Sequence, residues 1–170
     1  MGLRHRHDGS PDVVQYQMRE KLASIGDDSW IDDAAGNHVF KANGKAARLR
    51  DTFVLEDAQG RQVAKIKEKV LNVRDTMTID LGDRSAKVKK ALVGIRDRFH
   101  VEVDGADDLK VHGNVVDHEY EIEQSGETVA TVSKKWFRVR DTYGVEVSAT
   151  ADIPLILSVT VAIDDMSHDG

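Results

Sequence analysis

Five lysines spaced at alternate positions are the residues best suited to bind something. Lys65, Lys67 and Lys69 are two positions apart, as are Lys87 and Lys89. In an extended strand such alternation puts every side chain on one face. If consecutive units of the chain align, Lys65 falls beside Lys87 and Lys67 beside Lys89. That makes a basic patch on a chain of net charge −6. Such a patch suits phosphate, and each lysine near an anionic lipid surface contributes about 1 kcal/mol. Lys134 and Lys135 stand next to Trp136, and an indole beside basic side chains suits the membrane–water boundary. The competing reading is a solvated outer face on which lysine discourages edge-to-edge strand pairing.

Other chemistry is largely excluded. There are no cysteines, hence no disulfide, thiolate metal site or thiol nucleophile. Of seven histidines, His5 and His7 lie near the start, while His38, His100, His112, His118 and His168 show no ligand spacing. Asp104-Gly105-Ala106-Asp107-Asp108 lacks the residue order of a calcium loop. Nucleophile-elbow, zinc-protease and phosphate-loop motifs are missing. Asp32/Asp33 and Asp164/Asp165 have no partner visible in the sequence. No catalytic residue, metal or cofactor is expected. The pairs Arg50/Asp51, Arg74/Asp75, Arg96/Asp97 and Arg140/Asp141 could form a ring of ligands, but recurrence assigns them to a repeated turn rather than to a site.

At 170 residues the chain suits one domain, and 40% hydrophobic with 32% charged residues is ordinary for a globular protein. Its acidity, with 21 Asp against 9 Glu, argues against nucleic acid as a partner. Residues 1–14 read as a flexible arm, 15–166 as the domain and 167–170 as a tail. The longest apolar run, Ile153 to Ile163, has 11 residues, whereas a membrane span needs about 20. The expectation is a monomeric cytoplasmic protein, peripheral to a membrane if it binds lipid.

The elements that position the lysines come from an internal repeat. Arg-Asp-Thr followed by a large apolar residue occurs at Phe53, Met77 and Tyr143, and a variant ends on Phe99. Degenerate copies end on Trp30 and Tyr120. The six marks are 23, 24, 22, 21 and 23 residues apart. After each mark runs an alternating stretch, then a turn rich in Gly, Asp and Asn, then a second, basic alternating stretch. This is the pattern of a β-hairpin. Six units, counting an opening strand near Tyr16 to Ala23, predict about twelve antiparallel strands closed on themselves so that no edge is left. So wide a barrel cannot be filled by its own strand side chains. The stretch after the sixth unit is the candidate plug. Asp152 can cap, Pro154 suits a first helical turn, and a helix apolar on all sides is a buried one. Alternating Val159, Val161 and Ile163 would also suit a strand, and periodicity leaves the two open. The need for a plug favours helix.

Several segments together resemble the LURP-one-related family, grouped with tubby C-terminal domains and phospholipid scramblases. They are Met18-Arg19-Glu20-Lys21-Leu22, Ser24-Ile25-Gly26-Asp27-Asp28, Gly44-Lys45-Ala46, Asp117-His118-Glu119-Tyr120, Val132-Ser133-Lys134-Lys135-Trp136-Phe137, Asp141-Thr142-Tyr143-Gly144-Val145 and Val161-Ala162-Ile163-Asp164. The resemblance spans roughly Gln15 to Met166. It implies an all-β fold with one buried helix: a twelve-stranded antiparallel closed barrel around a central hydrophobic C-terminal helix. It transfers no catalytic residues. Tubby domains bind phosphoinositide headgroups through a basic pocket whose residues find no position-by-position match here. The expected function is a non-enzymatic binding module for anionic phospholipid, through Lys65, Lys67, Lys87, Lys89, Lys134, Lys135 and Trp136. A protein-interaction scaffold is the alternative, with a hydrolase behind it.

Overall fold

Asp and Gly at the hairpin turns decide where the chain reverses. The Asp33 carboxylate accepts the backbone N–H groups of Ala35 and Asn37, both at 2.9 Å. One unit later Asp57 takes Gln59 and Arg61 in the same way, also at 2.9 Å. Gly36 and Gly60 follow at φ 83° and 80°, a left-handed backbone that glycine adopts without strain. The strand register shifts by one residue just before each turn, which makes both hairpins bulged. These hydrogen bonds hold the Asp33 and Asp57 carboxyls below their ordinary range. Part of the aspartate surplus is therefore turn chemistry.

In the computed structural model, residues 12–20, 29–43, 52–68, 76–93, 96–138 and 140–168 are described, apart from the side chains of 92, 93, 96, 97 and 168. The strands are β1 (Val13–Arg19), β2 (Ser29–Asp33), β3 (His38–Asn43), β4 (Thr52–Asp57), β5 (Gln62–Glu68) and β6 (Thr76–Asp80). There follow β7 (Ser85–Val93), β8 (Arg96–Val103), β9 (Leu109–Asn114), β10 (Glu119–Gln124), β11 (Glu127–Ser133) and β12 (Thr142–Ser148). Each pairs antiparallel with its neighbours, and β12 returns to β1 from Val13↔Ser148 to Arg19↔Thr142, closing the barrel. The sixth hairpin is thus split between the two ends of the domain.

The hairpins do not sit level with one another. Phe53 lies across from Ile66 and so from Ile79, two residues past the next mark, Met77. Met77 is level with Val101, Phe99 with Ile122, and Tyr120 with Val145, in each case by the same two-residue step. This stagger is what tilted strands need to close a ring. Five of the six marks point inward and are buried: Phe53, Met77, Phe99, Tyr120 and Tyr143. Trp30 is the exception. It points outward at 38% exposure, stacked on His38, while its neighbour Ile31 takes the inward place. Of the Arg-Asp pairs, two lie outside the described residues, and Arg96/Asp97 are described in backbone alone. At the remaining copy Asp141 has φ 59° and its carbonyl accepts the N–H of Glu20.

The plug is a helix, α1 (Ile153–His168). Asp152 caps it, accepting the N–H of Leu155 on its side chain and that of Ile156 on its carbonyl. Pro154 falls in the first turn, where its missing N–H is harmless. Leu155 to Asp164 are buried without interruption. The hydroxyls within this stretch bond back along the helix: Ser158 donates to Pro154 O at 2.7 Å and Thr160 to Ile156 O at 2.9 Å. Such bonds satisfy a buried polar group inside a helix. β-branching is tolerated because packing, at about 1.5–3 kcal/mol per large apolar side chain buried, outweighs helix propensity.

Candidate functional site

The stagger sets how the basic strand face is built. Across β6, Thr78 lies opposite both Lys67 and Lys87. The level pair is therefore Lys67 with Lys87, rather than Lys65 with Lys87. Lys65 faces Asp80 one row away. Lys89 lies on the other side of the row, opposite Thr76 and His100, and donates to Glu102 at 2.6 Å. Both partners of that pair are nearly half exposed, so it is weak. Among the described residues no carboxylate lies within ion-pair distance of Lys65, Lys67 or Lys87. Adjacent strands are about 4.8 Å apart. Lys67 and Lys87 therefore flank Thr78 closely enough for both ammonium groups to reach one phosphate.

Lys134, Lys135 and Trp136 stand elsewhere. They belong to the connection from β11 to β12, half-way round the ring from β5. Trp136 and Phe137 fold back over the outside of β12 at Gly144. A Cβ on Gly144 would come within 2.5 Å of the Trp136 ring and 2.7 Å of the Phe137 ring. Lys134 is ion-paired with Glu20, and Glu119 accepts bonds from the Ser133 hydroxyl and the Lys134 N–H. Lys135 lies 4.0 Å from Glu119 with its side chain largely in solvent. The seven lysine and tryptophan positions thus form two separate surfaces.

Sequence reasoning missed a third feature, a buried polar cluster between α1 and the wall. His118 Nε2 meets Asp164 Oδ1 at 2.7 Å, with both side chains almost wholly buried. Glu20 lies 3.7 Å from the other ring nitrogen. The imidazole packs on the Tyr143 ring at 4.3 Å, and His118 takes a left-handed φ of 52°. Burial pushes the Tyr120 and Tyr143 phenols up, and the charge of Asp164 adds to it. A charged residue directly after a long apolar run was the available signal, because a buried charge needs a partner. Which partner could not be read from residues 46 positions apart. Closed to solvent, this pair holds the helix rather than a substrate.

The opposite end of the barrel, where the hairpins turn, is acidic. Arg84 reaches over it to Asp152 with two hydrogen bonds of 2.6 and 2.8 Å and also meets Asp83. These partners push its guanidinium pKa up. An open groove of about 510 Å³ lies beside it, lined by Asp80, Asp83, Arg84, Ser85 and Asp104 with two glycines. Among the described residues no group of three or more His, Asp or Glu is placed to hold a metal. Nor is any helix among them long and apolar enough to cross a membrane.

A twelve-strand closed barrel threaded by one buried helix defines the tubby-like class of folds. The LURP-one-related family model matches residues 14–164, and the chain belongs to that family. Its fold is similar to that of an Arabidopsis thaliana protein solved by X-ray crystallography. The two superpose with a TM-score of 0.60 at 22% identity, over 92% of this chain and 93% of that one. No curated protein matches the chain.

Proposed function

We propose that the domain is a non-enzymatic binding module that recognises anionic phospholipid headgroups through the outer face of β5–β7. The observation that carries this reading is the row Lys67–Thr78–Lys87. It sets two lysines without a carboxylate partner, among the described residues, on either side of a hydroxyl in a chain of net charge −6. Lys65 and Lys89 extend the row diagonally. A chain without cysteine suits the reducing cytoplasm, where the anionic leaflet lies. A closed ring offers no strand edge for self-association, which favours a monomer.

The test is flotation with phosphatidylcholine vesicles, plain or carrying phosphoinositide. Binding to the phosphoinositide vesicles should fall about 25-fold in the Lys67→Ala/Lys87→Ala double variant, at about 1 kcal/mol per lysine. Unchanged binding would remove this face. A second reading, a protein-interaction module, rests on the outward Trp30–His38 stack. It is favoured if the protein ignores all vesicles yet captures a partner that Trp30→Ala loses.

A further inference from the structure

The end of the barrel at which α1 finishes carries an apolar tip of its own. Val116, in the turn between β9 and β10, is 61% exposed, and Trp136 is 38% exposed. Two more large apolar side chains, Val13 and Trp30, are that open elsewhere on the described surface. The loops that bear Val116 and Trp136 are neighbours, since β10 and β11 pair, and Glu119 at the end of the first loop accepts from Ser133 and Lys134 at the start of the second. Around Trp136 stand Lys135, Arg138 and Arg140, all exposed. Neither arginine has an ion pair among the described residues. Of the nearby acids, Asp117 is hydrogen-bonded to Asn114 at 2.6 Å, and Glu20 and Glu119 face Lys134 and Lys135.

The segment is also held in shape. Its two aromatic rings rest on the bare backbone of Gly144, and Lys134 is tied to Glu20. A surface that presents an indole and a valine, on a connection with three exposed cations of which Arg138 and Arg140 have no ion pair among the described residues, fits a bilayer interface. There the indole settles at the headgroup level and the cations meet lipid phosphate. The far end of the barrel presents carboxylates such as Asp33, Asp57, Asp83 and Asp104, which an anionic surface repels. Charge therefore orients the molecule.

We infer that the β11–β12 connection is an interfacial anchor for an anionic bilayer, inserting Trp136 beside Val116 with Lys135, Arg138 and Arg140 on lipid phosphate. It shares its partner, a membrane, with the headgroup reading above but uses a different surface.

The chain has two tryptophans, so Trp30→Phe leaves Trp136 as the sole reporter. Phosphatidylcholine vesicles containing phosphatidylserine should blue-shift its emission, and lipids brominated on the acyl chains should quench it; plain phosphatidylcholine should do neither. Lys135→Glu/Arg138→Glu, both at exposed positions, should weaken partitioning at least 25-fold, since each removed cation is worth about fivefold. Val116→Asp should abolish quenching. If the protein floats with vesicles while Trp136 emission stays fixed, the anchor is wrong and headgroup binding stands. If Trp136 responds and Lys67→Ala/Lys87→Ala floats normally, the anchor stands and the strand face falls. Failure to float on any vesicle defeats both. A Trp136 response to single-stranded RNA but not to vesicles would also overturn the anchor.

Discussion

The central helix is fastened at both ends through an aspartate, and the two fastenings are unlike. At its start Asp152 is held by Arg84, with both side chains about one-third exposed. Near its end Asp164 is held by His118, both closed off from water. Water competes for the first pair and can replace either partner. It cannot reach the second, so a hydrogen bond lost there is not restored by solvent. The same contact in outline is a modest clasp at one end and a lock at the other.

His118→Ala should therefore show the largest effect, lowering unfolding free energy by about 3–5 kcal/mol. Arg84→Ala should lower it by about 1 kcal/mol. Urea titration of both variants checks the contrast, and equal losses would erase it. Gly144→Ala comes next. The new methyl must displace the Trp136 and Phe137 rings, and overpacking of this kind costs about 1–3 kcal/mol. A rise in Trp136 mobility, seen by fluorescence anisotropy in a Trp30→Phe background, would separate loosening of the connection from general unfolding.

The smallest effects are those of pH, and they too divide the ends. Asp33, Asp57 and Asp108 at the turns have carboxyls lowered by hydrogen bonds. Their support is present above the ordinary carboxyl pKa of about 3.9 and is lost as pH falls through the lower folded values. The phenols of Tyr120 and Tyr143 are raised by burial. Their protonated forms support the fold below pH ~10, and that support is lost as pH climbs toward the raised folded values. Thermal melts from about pH 2 to about pH 11 should show an acid limb that Asp33→Asn/Asp57→Asn shallows. The alkaline limb should be shallowed by Tyr143→Phe instead.

Much of the fold was legible because the hairpin repeats. Spacing of the marks located the strands, and the width of the ring called for a plug. Trp30 marks its repeat by size yet faces outward, because alternation puts Ile31, not the larger neighbour, on the inner side. The lysine pairing was misread for a deeper reason. Copies of a repeat look level in a sequence, but a closed barrel staggers its hairpins, here by two residues, which moves Lys87 from the row of Lys65 to that of Lys67. Lys134 and Trp136 seemed to extend the same surface because nothing in the sequence says which side of a ring a strand occupies. The His118–Asp164 pair lay out of reach altogether, since it joins a turn to the helix and occurs once. A repeat shows what recurs, and these contacts do not.

The return of β12 to β1 has a consequence for how the protein is made. The partners of that pairing lie roughly 130 residues apart. At the ribosome's pace of about 5–20 residues per second, β1 waits on the order of ten seconds before its second neighbour, β12, exists. During that time Tyr16 and Met18, which end up buried, have β2 on one side and an open edge on the other. The five intact hairpins can form as they emerge, but the ring and its axle are completed together and last. A nascent chain of this kind is most open to a chaperone, or to a wrong partner, at its oldest strand.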